Sequence, residues 1–254
     1  MQDRYAGDIG DFVKLTILRR ITPGLKTGII WWLHPNESHN ADGKHITYLD
    51  RPQTWRRYDP HLFDRLKSIV SAEKRSVAAL QRVGLINDAI YFDELMPTIG
   101  KAAERRLARE QWFSRALNAV ADCNVVFLDP DNGLETMRYD SGRSKAAKSV
   151  SLTELQALQR PGRTLIVYHH HTRMPGGNLV ELAHWGGRLA ALGFTVDALR
   201  ASVGTARAFF LLNASPEIRQ QADLLSHDWG DKLSWHPNLD QSHPNVRPEQ
   251  ATRY

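Results

Sequence analysis

A single cysteine, Cys123, stands in 254 residues. That excludes an intramolecular disulfide framework and suits a reducing compartment. Because Cys123 precedes an apolar run, it reads as a small core residue rather than a nucleophile. No apolar stretch reaches the roughly 20 residues that a membrane-spanning helix needs, and Met1-Gln2-Asp3-Arg4 opens no secretory signal. The expectation is a cytoplasmic protein with no membrane partner. Internal repeats, coiled-coil heptads and a hinge between independent domains are all missing. Glycine-rich Arg173–Gly177 lacks the lysine of a phosphate loop. Charge of one sign is scarce too: 33 Lys+Arg against 28 Asp+Glu leave +5, which permits a polyanionic partner without demanding one.

What is present is a soluble composition, 42% hydrophobic and 24% charged, enough for one substantial core. Its organising stretch is Asn124-Val125-Val126-Phe127-Leu128, a β-branched and aromatic run too short for a helix. This fits a central strand buried on both faces. It breaks at Asp129-Pro130-Asp131-Asn132-Gly133, where proline and glycine forbid continuation and two carboxylates sit at the strand's carboxyl end. Ligands bind at that end in open α/β sheets, and acids so close to an apolar core need partners.

The remainder alternates. A helix from about Asp11 to Ile21 follows Tyr5–Gly10, with Asp8 or Asp11 as its cap. Lys14 in its first turn opposes the helix dipole, so it is either solvated or aimed at an anion. Thr27–Leu33 reads as a strand whose exit loop holds His34, Glu37, His39, Asp42 and His45 without a standard zinc spacing. Residues 50–115 form a largely helical insertion, with Ile90–Phe92 as a short strand. The Glu104–Arg109 run reads as a solvated, internally paired face. Arg138–Lys148 reads as a mobile basic loop. Thr164–Tyr168 is a strand delivering His169-His170-His171, with His169 and His171 on one side. Phe194–Leu199 and Ala208–Asn213 are too close for a crossover helix and so pair antiparallel. One domain over 1–235 and a loosely ordered tail over 236–254 complete the reading.

These elements predict an α/β, Rossmann-like sheet of the class I methyltransferase type. It is mostly parallel, ends in an antiparallel edge hairpin and carries helices on both faces. Residues sharpen the resemblance. Gly7-Asp8-Ile9-Gly10-Asp11-Phe12-Val13-Lys14 resembles the amino-terminal Gly-Asn-x-x-Asp-Val-x-Lys segment of the large-subunit ribosomal RNA adenine-N6 methyltransferase family. Asp129-Pro130-Asp131-Asn132 stands where that family carries Asp-Pro-Pro-Tyr, and Phe209–Asn213 resembles its closing strand. The resemblance implies S-adenosylmethionine as cofactor and an amino group, adenine N6 in RNA or DNA, as substrate. By the same resemblance Asp129, Pro130, Asp131 and Asn132 form the catalytic segment, the first two accepting the amine. Lys14, Asp11, Asp8 and His34 would face the cofactor. Arg143, Lys145, Lys148, His169 and His171 would face the substrate.

Two departures support an alternative. Asp131 replaces the second proline, and no glycine follows His34 until Gly43. A second carboxylate suits a hard divalent cation, so Asp129, Asp131 and histidines from 34, 39, 169 or 171 would hold a metal for phosphoester hydrolysis. A non-catalytic binding protein is the third reading.

Overall fold

The computed structural model describes residues 1–37, 43, 45–72 and 75–241. The first half holds α1 (Ile9–Ile21), β1 (Thr27–Ile30), the short α2 (Pro52–Trp55), α3 (Pro60–Ser71), α4 (Val77–Arg82) and β2 (Ile90–Phe92). Next come α5 (Ala102–Ala119), β3 (Val125–Leu128), β4 (Gly133–Leu134), β5 (Ser149–Val150), α6 (Leu152–Leu158) and β6 (Thr164–His170). The last part holds α7 (Gly177–Ala190), β7 (Val196–Ala201), β8 (Arg207–Leu212), α8 (Pro216–Trp229) and β9 (Leu233–His236).

Seven strands form one sheet in the order β2-β1-β3-β6-β8-β7-β9. Strands β2, β1, β3 and β6 run parallel, β8 runs against both β6 and β7, and β9 runs against β7. The fold is α/β and Rossmann-like, with the expected hairpin at its carboxy-terminal side. The reversed strand β8 lies inside and β9 forms the edge. Strands β4 and β5 make a separate two-residue parallel ladder beyond the end of β3.

Side-chain alternation divides the core in two. Ile29, Phe127, Ile166, Leu199 and Phe209 face α1, α3 and α8, where Phe12, Leu15, Phe63, Leu66 and Leu225 are buried. Ile30, Leu128, Val167, Ala198 and Phe210 face α5, α6 and α7, burying Trp112, Leu155, Leu182 and Trp185. Each fully buried aliphatic or aromatic side chain in these layers stabilises the fold by about 1.5–3 kcal/mol. Cys123 is buried in the second layer, as a core residue. Among the described residues no helix is long and apolar enough to cross a membrane.

Three local expectations change. The Glu104–Arg109 run does not pair internally. Arg105 donates to the Gly142 carbonyl at 2.8 Å, and Arg106 to Asp140 at 3.0 Å. Arg109 is buried, with both arms on Glu154 at 2.7 and 2.8 Å and further bonds to the Ala146 and Ser149 carbonyls. These three arginines pin the 138–148 loop, which therefore has a fixed place against α5. A buried guanidinium needs such a full set of acceptors. Beyond β9, Asn238 donates its amide to Asp197 at 2.8 Å and Leu239 to the Val196 carbonyl at 2.7 Å, so residues 238–241 lie along β7. The tail beyond 241 lies outside the described residues.

Candidate functional site

Strand β3 ends where the sequence reading placed it. The Asp129 amide still bonds to the Ile30 carbonyl at 3.1 Å, so Asp129 leaves the sheet as a rigid extension of the ladder. Pro130 then stops the strand, and the turn closes at Gly133, whose φ is +94°. A side chain there would meet the His169 backbone at 2.5 Å, so only glycine fits. Asp8 caps α1 by accepting from the Asp11 amide at 2.9 Å. This fixes the first turn of α1 against the end of β3.

The two segments meet through Lys14, which is 5% exposed. Its Nζ donates to Asp129 Oδ2 at 2.6 Å and to Asp11 Oδ1 at 3.0 Å, and it lies 5.4 Å from the Tyr168 ring centroid. Burial acts to lower the affinity of Lys14 for its proton, but the two carboxylates outweigh it and hold the ammonium charged. Burial raises both Asp129 and Asp11 above the ordinary carboxylate range, with Lys14 opposing. Asp11 also accepts from the Gly7 amide at 3.1 Å. Two buried carboxylates thus share one ammonium.

Asp131 is bound separately. The Met1 amino group lies 2.8 Å from Asp131 Oδ1 and donates to the Asp129 carbonyl at 2.8 Å, while Gln2 Nε2 donates to Asp131 Oδ2 at 2.6 Å. Against the upward push of burial, these contacts hold Asp131 below its ordinary range. The Met1 amino group reaches the Trp32 carbonyl as well, at 3.3 Å. Trp32 is fully buried and left-handed, at φ +48°. That conformation is rare for a bulky side chain, and the packing around the exit of β1 must impose it. Lys148 bonds to Glu37 at 2.5 Å.

A cavity of about 330 Å³ opens at the carboxyl ends of β1, β3 and β6. Asp129, Pro130, Asp131 and Asn132 line it, as do Asp8, Asp11, Lys14 and Lys148. Other expected residues do not. Arg143 and Lys145 are exposed, and His34 turns its ring back to the Pro35 carbonyl at 2.9 Å, outside the lining. His39 lies outside the described residues.

His169 and His171 are corrected most clearly. They share the parity of Leu165 and Val167 and so face the α7 layer, on the far side of the sheet from the cavity. Their partner is Glu181, which the sequence reading did not single out. It accepts from His169 Nε2 and His171 Nδ1 at 3.1 Å each, and from the Thr172 amide and hydroxyl. These bonds overcome burial and hold Glu181 down at about 2. The three ligand-type atoms lie within 4.8 Å of one another, yet the arrangement does not fit a metal. The Leu134 amide donates to His169 Nδ1 at 3.1 Å, so the ring proton must sit on Nε2, the nitrogen a metal would take. Moving it to Nδ1 would set two donors face to face.

The histidines that do line the cavity are His45 and, beside Tyr168 on the α1 side of β6, His170. Arg207, at the start of β8, lines it as well and was also missed. Comparison with models of known protein families and with curated proteins returns no match to this chain.

Proposed function

We propose that the protein is an S-adenosylmethionine-dependent methyltransferase acting on an amino group, with adenine N6 in RNA or DNA as the substrate class. The observation that carries this is Asp129. It is buried at the mouth of β3, it lines the cavity, and Lys14 engages only Oδ2. Among the described residues Oδ1 accepts no hydrogen bond. Asp129 Oδ1 and the Pro130 carbonyl therefore serve as the pair of acceptors for a substrate amine. Holding the amine in line does most of the work of such a transfer.

The donor set suits the cofactor. Bound there, it supplies a transferable methyl group on a positively charged sulfonium. The Asp11 and Asp129 carboxyls share a single ammonium at the cavity wall, and carboxylate oxygens there favour a cationic centre. Lys14 is committed to those two carboxylates, so its part is to orient Asp129 rather than to receive a ligand anion. Lys148 at the cavity wall, with the exposed Arg143 and Lys145 a few residues before it in the same loop, would track a phosphate backbone, which positions a nucleic acid without reading its sequence. Metal-dependent hydrolysis draws no support from this geometry. Asp129 and Asp131 each hold an amino group, and His169 and His171 face away.

The test is methyl transfer. With methyl-labelled S-adenosylmethionine and unmodified RNA and DNA oligonucleotides, label is expected in N6-methyladenine after digestion. Asp129→Asn should lower the rate at least about a hundredfold while remaining folded, the scale of a lost positioned acceptor. An undiminished rate in Asp129→Asn would overturn the assignment.

A further inference from the structure

We propose that Arg207 is the receptor for an oxyanion, a carboxylate or phosphate, on whatever ligand fills the cavity. Three of the cationic groups at its wall are already matched: Lys14 by Asp11 and Asp129, the Met1 amino group by Asp131, and Lys148 by Glu37. Arg207 is different. It is 6% exposed and lines the cavity, yet among the described residues its one hydrogen bond runs from Nη2 to the Thr205 hydroxyl at 2.8 Å. Its Nε and Nη1 are buried with no partner among the described residues. A guanidinium without acceptors for its buried N–H groups is costly. It becomes favourable once an oxyanion in the cavity accepts end-on from the free Nη1, with the second Nη2 hydrogen beside it.

The fold holds this guanidinium in place. Arg207 pairs across the ladder with His170, so both emerge on the α1 side of the sheet at the cavity mouth. Gly10 in the first turn of α1 makes room: a Cβ there would lie 2.5 Å from Arg207 Nη1. Asp8 Oδ1 would lie 3.0 Å from the same point, and it is engaged by the Asp11 amide. The site is thus bipolar, with the acidic triad on one wall and an open guanidinium on another. Assigning the anion to the amino-acid carboxylate of the cofactor rests on the function proposed above. The receptor itself rests on geometry alone.

Calorimetric titration separates the two. The probes are S-adenosylhomocysteine, 5′-methylthioadenosine (which lacks the carboxylate), adenosine monophosphate and inorganic phosphate, each against wild type, Arg207→Gln, Arg207→Lys and Gly10→Ala. Arg207→Gln should bind S-adenosylhomocysteine at least about tenfold more weakly, the loss of a charge-assisted hydrogen bond. It should bind 5′-methylthioadenosine as the wild type does. Gly10→Ala keeps the helix and displaces the guanidinium, so it should reproduce the affinity loss without lowering the thermal midpoint. Arg207→Lys keeps the charge and controls for folding. Should the wild type bind neither adenosyl compound but bind adenosine monophosphate or phosphate in an Arg207-dependent way, the methyltransferase reading falls and the receptor stands. Equal loss for the carboxylate-bearing and carboxylate-free ligands, no loss in Arg207→Gln, or no anion bound by the wild type would each overturn the receptor.

Discussion

Lys14 Nζ sits 2.6 Å from Asp129 Oδ2 and 3.0 Å from Asp11 Oδ1, joining the first helix to the end of the central strand across 115 residues of sequence. Removing the ammonium leaves two buried carboxylates without it. Lys14→Ala is expected to destabilise the fold by about 3–5 kcal/mol. The sign with pH is definite. Both carboxylates already have raised proton affinity from burial, and it rises further without Lys14. A group whose folded pKa is raised loses its stability contribution as pH climbs. Denaturant midpoints of Lys14→Ala should therefore fall as pH rises above the ordinary carboxylate value of 3.8, with Asp11→Asn in the same chain restoring part of the loss. A pH-independent deficit would contradict the triad.

The same raised affinity sets the acid limb of activity. Asp129 must be ionised to accept an amine, so kcat/KM for methyl transfer should decline on acidification with an apparent pKa above the ordinary 3.8. Asp131, held below its ordinary range, should not contribute a second step in this window. A profile flat down to the ordinary carboxylate value would count against Asp129 as the acceptor.

On the far side of the sheet, Glu181 acts on stability rather than chemistry. Its pKa lies at about 2 against an ordinary 4.5. A depressed carboxylate contributes stability that is whole above 4.5 and lost as pH falls toward 2. Glu181→Gln should be less stable than wild type at pH 7 by an amount on the order of 2 kcal/mol. The two chains should converge in acid-unfolding curves near pH 2. Added zinc should leave the wild-type melting midpoint unchanged, and a rise with zinc would show that the histidine pair can release its Nε2 proton to a metal.

Gly133→Ala probes the turn that carries the acids. The left-handed backbone opposes a side chain by about 1–2 kcal/mol, and the His169 backbone 2.5 Å away cannot yield as a flexible side chain would. A total loss of at least about 2 kcal/mol in urea unfolding is expected. An unchanged midpoint would mean the turn is held less firmly than its contacts indicate.

Much of this was legible because β strands advertise themselves through short apolar runs. Val125–Leu128 and its Asp-Pro-Asp-Asn-Gly exit gave the sheet centre and the cavity floor. The Gly7–Lys14 segment brought Lys14 to the site, but as a cofactor contact; its pairing with Asp129 was not legible. Parity was legible as well, but not which face the cavity takes, so His169 and His171 were aimed at it while Tyr168 and His170 are the residues that reach it. Glu181 left a signal that went unused: an acid four residues before Trp185 on the apolar stripe of α7 must be buried with partners. Arg207 left almost none, because its value comes from Gly10 and Thr205, segments the sequence does not bring together. The arginines of α5 read as solvated because their acceptors, loop carbonyls together with Asp140 and Glu154, lie more than 30 residues away in sequence.

The most direct test of the central claim is calorimetric titration of the wild-type protein with S-adenosylhomocysteine. The account predicts one binding site per chain with a Kd in the micromolar range, about −8 kcal/mol. It also predicts retention in Asp129→Asn, whose lost carboxylate acts on the amine. An absence of binding at ligand concentrations near 1 mM would contradict it.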